Sequence, residues 1–289
     1  MKVLTSSHND QFKYWKSLLQ SKGLRESKHF LLSGKKIISE VLQDKVNLAQ
    51  IKFILLDQSS FDSGQLTEFK SPGLMDIPCV VLSNSLFKEL DVLGTKYMIL
   101  VMEQPEIATW EPQHNPEGLE VLCPLGDPQN LGAVIRTAYA FGVNSLVLLQ
   151  EAAHPFLPKT IKSSSGAVLK IPLKQGPSMS QLCLSLDQSQ QQYHQQKHLQ
   201  QKYQQQSDCH HQITPIYALD LKGTPLNSRS WPIESMRLLL GEEGKGIPSD
   251  FRGERIHLPM PKPMESLNAA VAAGIAIYQL SMSATTANQ

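Results

Sequence analysis

The last fifty residues constrain this chain more than any other stretch. There LLLGEEGKGIP, ending at Pro248, is followed by RIHLPMPKPMESLNAAVAAGIAIY, ending at Tyr278. Each string reads as an apolar strand running into a tight loop of small residues. Arg237 to Leu240 is a short apolar run, and Gly241, Gly244 and Gly246 after it let the backbone turn and approach a ligand closely. Arg255 to Met260 is a second strand, closed by Pro259, Pro261 and Pro263. Ser266 stands where an N-cap belongs, before the alanine-rich helix expected over Ala269 to Leu280. Two strand ends and one helix N-terminus together predict a pocket lined by backbone N–H and C=O groups, suited to a flat, polar small molecule.

The rest of the chain divides around this region. A length of 289 residues favours two domains over a single core. Residues 1–104 mix helical stretches (Lys13 to Lys22, Lys35 to Gln43) with short apolar strands (Phe53 to Leu56, Cys79 to Leu82, Met98 to Met102), a compact α/β unit. Residues 105–117 carry prolines and little apolar periodicity, as a linker does. From residue 118 to 289, strands at Leu119 to Leu125, Ser145 to Leu149, Val168 to Pro172, Ile216 to Leu221, Arg237 to Leu240 and Arg255 to Met260 alternate with helices, as in a parallel α/β sheet.

The stretch 188–206 interrupts that pattern. Eleven of its nineteen residues are Gln, a composition that buries too little apolar surface to offset ordering, so a disordered or frayed-helical insertion is expected.

Charge distribution carries more than the net charge of +1. The first 36 residues hold eight Lys and Arg (Lys2, Lys13, Lys16, Lys22, Arg25, Lys28, Lys35, Lys36) against Asp10 and Glu26. Such a segment is either a solvated helix face or the footprint of a nucleic-acid backbone. No apolar run reaches the ~18–20 residues of a membrane span, and MKVLTSSHNDQFKYW lacks the apolar core of a secretory signal, so a cytoplasmic protein is expected. Cys79, Cys123, Cys183 and Cys209 are widely spaced and read as reduced thiols. Cys209, His210 and His211 lack a second pair at ligand spacing, so no metal is expected. GEEGKG lacks the spacing of a phosphate loop, and no GxGxxG follows a strand, which argues against a Rossmann-type nucleotide enzyme.

With GDPQNLGAVIRTAYAFGV, from Gly126 to Val143, the two C-terminal strings complete three ordered motifs. Together, over roughly residues 118–281, they resemble the SpoU family, the TrmH-type members of the SPOUT trefoil-knot class. That resemblance implies an S-adenosylmethionine-dependent RNA ribose 2′-O-methyltransferase whose C-terminal domain is a knotted parallel sheet. HFLLSGKKIISEVL, a strand, glycine turn and helix from His29 to Leu42, resembles the small α/β RNA-binding domain that many SpoU members carry ahead of it. The family also implies a homodimer, with Val271, Ile275 and Tyr278 of the last helix at a spacing that suits the interface. Ribosomal RNA is the favoured substrate and transfer RNA the second; a non-catalytic RNA-binding ribosome-assembly factor is the competing class.

Residue by residue, Arg136 matches the motif-one arginine, which in the family is proposed to bind the target phosphate and help remove the hydroxyl proton. In so apolar a stretch it needs an anionic partner, which an internal salt bridge also supplies. Because a guanidinium normally keeps its proton, with a pKa above ~12, phosphate clamping and stabilisation of a developing alkoxide are the preferred role. Asn130 reads as an N-cap and, by resemblance, as a residue shaping the active site. Glu243 matches the motif-two carboxylate, with Glu242 beside it expected to face solvent. Ser266 and Asn268 match the SLN of motif three and would orient substrate or loop. Gly241, Leu258, Met260 and Leu267 match positions around the adenosine, although Leu258 and Leu267 otherwise read as plain core. The chain departs from the pattern at Gln129, where His is common, at Lys262, near a usual Gly, and at Ala270, in place of a small polar residue. These departures bear on the donor loop and leave Arg136, Glu243, Ser266 and Asn268 in place.

Overall fold

A computed structural model describes residues 3–63, 74, 76–185, 214–232, 234–262 and 264–287. The glutamine-rich tract 188–206 and the Cys209, His210 and His211 cluster lie outside the described residues. The chain forms two compact units. One comprises Met1–Glu106 with Ala153–Leu169, the other Ile107–Ala152 with Lys170–Gln289.

The first unit is built on a mixed sheet of β1 (Val3–Leu4), β2 (His29–Leu32), β3 (Ile51–Asp57), β4 (Cys79–Leu82) and β5 (Ile99–Glu103), in the order β1-β4-β3-β5-β2. β3 runs parallel to β4 and antiparallel to β5. Asn9 caps the helix Asp10–Ser17 through Phe12 N–H, and the helix buries Phe12 and Trp15. The single helix expected over Lys13 to Lys22 is in fact two. The amides of Leu18, Leu19 and Gln20 close on carbonyls three residues back, a tight turn that ends the first helix before Ser21–Arg25 begins. The expected strand, glycine turn and helix at residues 29–42 is present: β2, Gly34, then the helix Lys35–Val41 with Ile37, Ile38 and Val41 buried.

The second unit holds β6 (Ala108–Thr109), β7 (Gly118–Cys123), β8 (Ser145–Leu148), β9 (Leu173–Gln175), β10 (Ile216–Pro225), β11 (Ser235–Leu239) and β12 (Glu254–His257). Their order is β12-β10-β11-β7-β8-β9-β6, and every ladder is parallel. This is a mixed α/β fold with a parallel sheet. The central strands read as near-continuous apolar runs because both their faces are covered: Val121, Leu122, Leu146, Val147, Leu238 and Leu239 are fully buried. The helix Pro128–Ala140 and the C-terminal helix Ala269–Ala287 pack against each other, with Gly274 over Thr137 and the Phe141 and Tyr278 rings 5.3 Å apart.

Two expectations from the sequence change here. The strand placed at Val168 to Pro172 is a 3-10 turn over Ala167–Leu169, and the strand itself is Leu173–Gln175. A short apolar run does not separate buried strand from buried helix by pattern alone. Within residues 105–117, Ala108–Thr109 joins the sheet as its edge strand and Trp110 is buried, its N–H donating to Gln175 O at 2.8 Å. Among the cysteines, Cys79, Cys123 and Cys183 are free thiols, and burial pushes Cys123 up to about 12, so it stays protonated and inert.

Candidate active site

The C-terminal edge of a parallel sheet is where loops are free to build a site, and here the loops after β7, β11 and β12 meet. After β7 the chain turns through Gly126 into the helix Pro128–Ala140, with Pro128 at its first position. The cap of that helix is Asp127, whose Oδ1 accepts the N–H groups of Gln129 and Asn130, each at 2.9 Å. Asn130 is therefore not the N-cap that its place between strand and helix suggested, and its side chain is free for other work.

That side chain links all three loops. Asn130 Nδ2 donates to Glu243 Oε1 at 2.5 Å, and Asn268 Nδ2 donates to Asn130 Oδ1 at 3.2 Å. Glu243 Oε2 accepts the Asp127 N–H at 3.0 Å. Asn268 Oδ1 accepts the Ala270 and Val271 N–H groups at 3.0 and 3.2 Å, which makes Asn268, and not Ser266, the cap of the C-terminal helix. The chemistry of the donors fixes both amide orientations. A carboxylate only accepts, so Asn130 must turn its NH2 to Glu243 and its oxygen to Asn268. Residues more than a hundred positions apart in sequence are thus held in one hydrogen-bonded chain.

Beneath this chain, the loop after β11 folds on itself: Glu242 N–H donates to Gly246 O at 3.0 Å and Gly246 N–H to Glu242 O at 2.8 Å. A side chain at Gly241 is crowded, because a Cβ there would lie 3.0 Å from both Cα and C of Gly246 and that backbone would have to give way. The loop borders a cavity of about 670 Å³ that also receives Leu258, Met260, Leu267 and Ser266. Gly241, Leu258, Met260 and Leu267, together with Asn130, Glu243, Ser266 and Asn268, all line it. Leu258 and Leu267 are half-buried and not the plain core their sequence pattern allowed, while Met260 is 36% exposed. Glu242 also departs from expectation. It is the more enclosed of the acidic pair, bonded to Lys245 Nζ at 2.9 Å, and Glu243 is the exposed one.

Arg136 does not line this cavity. It is exposed on the helix Pro128–Ala140, and among the described residues it has no hydrogen bond or ion pair. The premise of a buried guanidinium needing an internal anion is corrected: the apolar neighbours face inward and Arg136 faces out. The buried arginine is Arg237, fully enclosed on β11 and directly across from Glu120 of β7. Arg237 Nε donates to Glu120 Oε2 at 3.0 Å, and its remaining donors reach the carbonyls of Pro112, His114 and Thr214. Glu120 also accepts from Trp110 Nε1, Ser145 Oγ and Lys174 Nζ. Burial alone would raise its carboxyl, but the hydrogen bonds from Lys174, Ser145, Trp110 and Arg237 outweigh burial and hold it below the ordinary carboxylate range. Sequence reading passed over this pair, although a charge at the middle of each of two apolar strands was its signal.

Among the described residues no group of three or more His, Cys, Asp or Glu side chains is placed to hold a metal ion, and no helix is long and apolar enough to cross a membrane. The profile of the SpoU rRNA Methylase family matches residues 120–278. A protein named ribosomal RNA small subunit methyltransferase G 2, from Syntrophobacter fumaroxidans, is 34% identical over 97% of this chain, which spans 49% of that relative. The 23S rRNA (guanosine(2553)-2′-O)-methyltransferase RlmP of Bacillus subtilis is 26% identical over 97% of this chain and 99% of its own length. The fold is shared with the SpoU methyltransferase AviRb from Streptomyces viridochromogenes, solved in complex with the cofactor AdoMet, at a TM-score of 0.70 and 20% identity over 96% of this chain and 99% of that one. A profile match spanning more than half of the chain, over the residues that build the cavity, makes this protein a member of the SpoU rRNA methylase family.

Proposed function

We propose that the protein methylates a ribose 2′-hydroxyl of RNA, ribosomal RNA in preference to transfer RNA, with S-adenosylmethionine as the donor. The observation that carries this reading is the hydrogen-bonded chain Asn268–Asn130–Glu243, which brings one residue of each family motif to the rim of a single cavity. The cavity suits the donor. Its volume of about 670 Å³ falls in the range of small-molecule sites, ~300–1,000 Å³. Gly241 leaves its backbone open to close approach, and Leu258 and Leu267 offer apolar surface to a flat base.

Bound there, the donor supplies a methyl group already activated on a sulfonium. The protein's task is then to hold the hydroxyl in line, exclude competing water and stabilise the oxygen as its proton leaves to solvent. Asn130 and Glu243 fix the loops that shape the site, and Ser266 offers at its rim a hydroxyl with no hydrogen bond among the described residues. Arg136 clamps the target phosphate. Its exposure and the lack of a partner among the described residues support that role, since a guanidinium already paired would have to give up its anion first.

The reading also takes the C-terminal fold as the trefoil knot of the family, the first unit as the RNA-binding part, the cytoplasm as the compartment, and the working form as a homodimer. Exposed Val271, Ile275 and Tyr278 support the dimer, since they form an apolar stripe on the C-terminal helix opposite its buried Ala273, Ala276, Ile277 and Leu280. Tyr139, also exposed, stands one turn from Arg136 on the helix that packs against this one. Ile275→Glu is expected to shift the protein to monomer in sedimentation velocity and to lower methyl transfer. A wild-type dimer in the variant would remove this helix from the interface.

Donor placement has its own test. Gly241→Val sets its branched side chain against the Gly246 backbone, so the loop bordering the cavity must shift to make room. Calorimetric titration with S-adenosylmethionine should show no binding while the circular dichroism spectrum stays native. Wild-type affinity in Gly241→Val would refute the assignment of this cavity to the donor.

A further inference from the structure

The first unit contains a segment drawn from far along the chain. After β8 the polypeptide leaves the sheet of the second unit, and residues 153–169 pack within the first unit before β9 begins. Phe156 stacks on Phe30 of β2, ring centroids 4.9 Å apart. Gly166, at φ +81, passes so close to the helix Lys35–Val41 that a Cβ there would lie 3.2 Å from Ile37 Cγ2. The short helix Pro158–Ser163 buries Pro158, Thr160 and Ile161 and turns Lys159 and Lys162 outward, one helical turn apart.

The charges of this segment are one-sided. Residues 153–169 contain two lysines, one histidine and no acid. His154 accepts the Phe156 N–H at 3.3 Å through Nδ1, and burial together with the nearby Arg25 charge pushes it down to about 4. That field from Arg25 places the segment beside the basic N-terminal stretch, where Glu26 is the only acid between Asp10 and Glu40.

The ion pairs of the first unit sort its cations into two sets. Lys13, Lys16 and Lys52 are paired with Asp10, Glu89 and Glu103. Lys22, Arg25, Lys28, Lys159 and Lys162 are exposed and form no ion pair among the described residues, and of the five only Lys28 feels a carboxylate, Glu103, which Lys52 already pairs. Free cations gathered from two distant stretches of chain, with almost no acid among them, form an anion-attracting surface and not a self-neutralised one.

We propose that residues 153–169 are part of the RNA-binding surface of the first unit, with Lys159 and Lys162 contacting phosphates of the same RNA that Lys22, Arg25 and Lys28 hold. This rests on the first unit being the RNA-binding part, and it assigns two of these five cations to a segment lying between two strands of the methyltransferase sheet.

The test compares two charge reversals in the full chain, Lys159→Glu with Lys162→Glu and Arg25→Glu with Lys28→Glu, binding a labelled RNA duplex of mixed sequence across a salt series. Each lost phosphate contact lowers the log–log salt slope by roughly one unit, so each pair should flatten it by about two and weaken binding by roughly tenfold or more at low salt. Lys159→Arg with Lys162→Arg should restore wild-type affinity and slope, and none of the variants should change donor affinity. If only the N-terminal reversal weakens binding, the proposed role of the segment is overturned and the RNA-binding reading of the unit stands. If neither does, both fall. Should the lysine reversal disturb folding, as read by melting temperature, the Lys→Gln pair replaces it with the same expected change in slope.

Discussion

Arg136→Ala is expected to slow methyl transfer by about a hundred- to a thousandfold, the usual consequence of losing one group aimed at developing charge, while stability hardly changes. The second half of that statement comes from the structure. Arg136 is exposed and makes no contact with charged or polar partners among the described residues, so truncating it leaves no cavity and no orphaned partner. Such surface changes stay within about ±0.5 kcal/mol. Donor affinity should remain near wild type, because Arg136 lies outside the cavity lined by Gly241, Leu258 and Leu267. Arg136→Lys retains the charge but loses the planar two-pronged donor, so it should rescue little of the rate. Single-turnover methylation, donor calorimetry and thermal melting on the same preparations separate these quantities. A wild-type rate in Arg136→Ala would sink the phosphate-clamp role.

The sequence made the cavity more legible than the arrangement of side chains within it. Strand ends followed by glycine and proline loops point to a backbone-lined pocket at Gly241, whereas Leu258, Met260 and Leu267 come from the family resemblance alone, and the cavity runs past all four. Cap assignments were harder. Asp127 and Asn130 both precede or open the same helix, as do Ser266 and Asn268 with the next, and propensity alone does not rank Asp, Asn and Ser at neighbouring positions. The outcome depended on Glu243, more than a hundred residues from Asn130, which recruits the Asn130 amide and so leaves capping to Asp127. Arg136 differs from its sequence pattern for a related reason. Apolar neighbours in sequence signal burial of a helix face, not of every residue on it, and Val134, Ile135 and Ala138 are buried while Arg136 is not. The packing of residues 153–169 into the first unit was not legible at all, since no local pattern records which unit a returning segment joins.

Arg237→Met should destabilise the protein by about 3–5 kcal/mol, because it strips a buried carboxylate of one of its partners. Glu120 and Arg237 are both fully enclosed, and their strands pair in register so that the two residues lie side by side. The loss is compounded at the carbonyls of Pro112, His114 and Thr214, which have their donors in the Arg237 guanidinium. For a chain of this size each kcal/mol lowers the melting temperature by roughly 2–4 °C, so a fall of about 10 °C is expected. Glu120→Gln should cost a similar amount by leaving Arg237 buried without its anion. Pairing Glu120→Leu with Arg237→Met should cost less than the two single changes together, since the fully buried pair is then removed whole and the only charge that loses its partner, Lys174, is a third exposed. The pH dependence has a definite sign. The Glu120 carboxyl is lowered in the folded protein from its ordinary value of 4.5, so its contribution is full above about that pH and is lost as the pH falls through the lower folded value. Wild type and Glu120→Gln should therefore differ most near neutrality and converge under acid. A stability difference unchanged down through the acid range would show that the pair contributes by packing and not by charge.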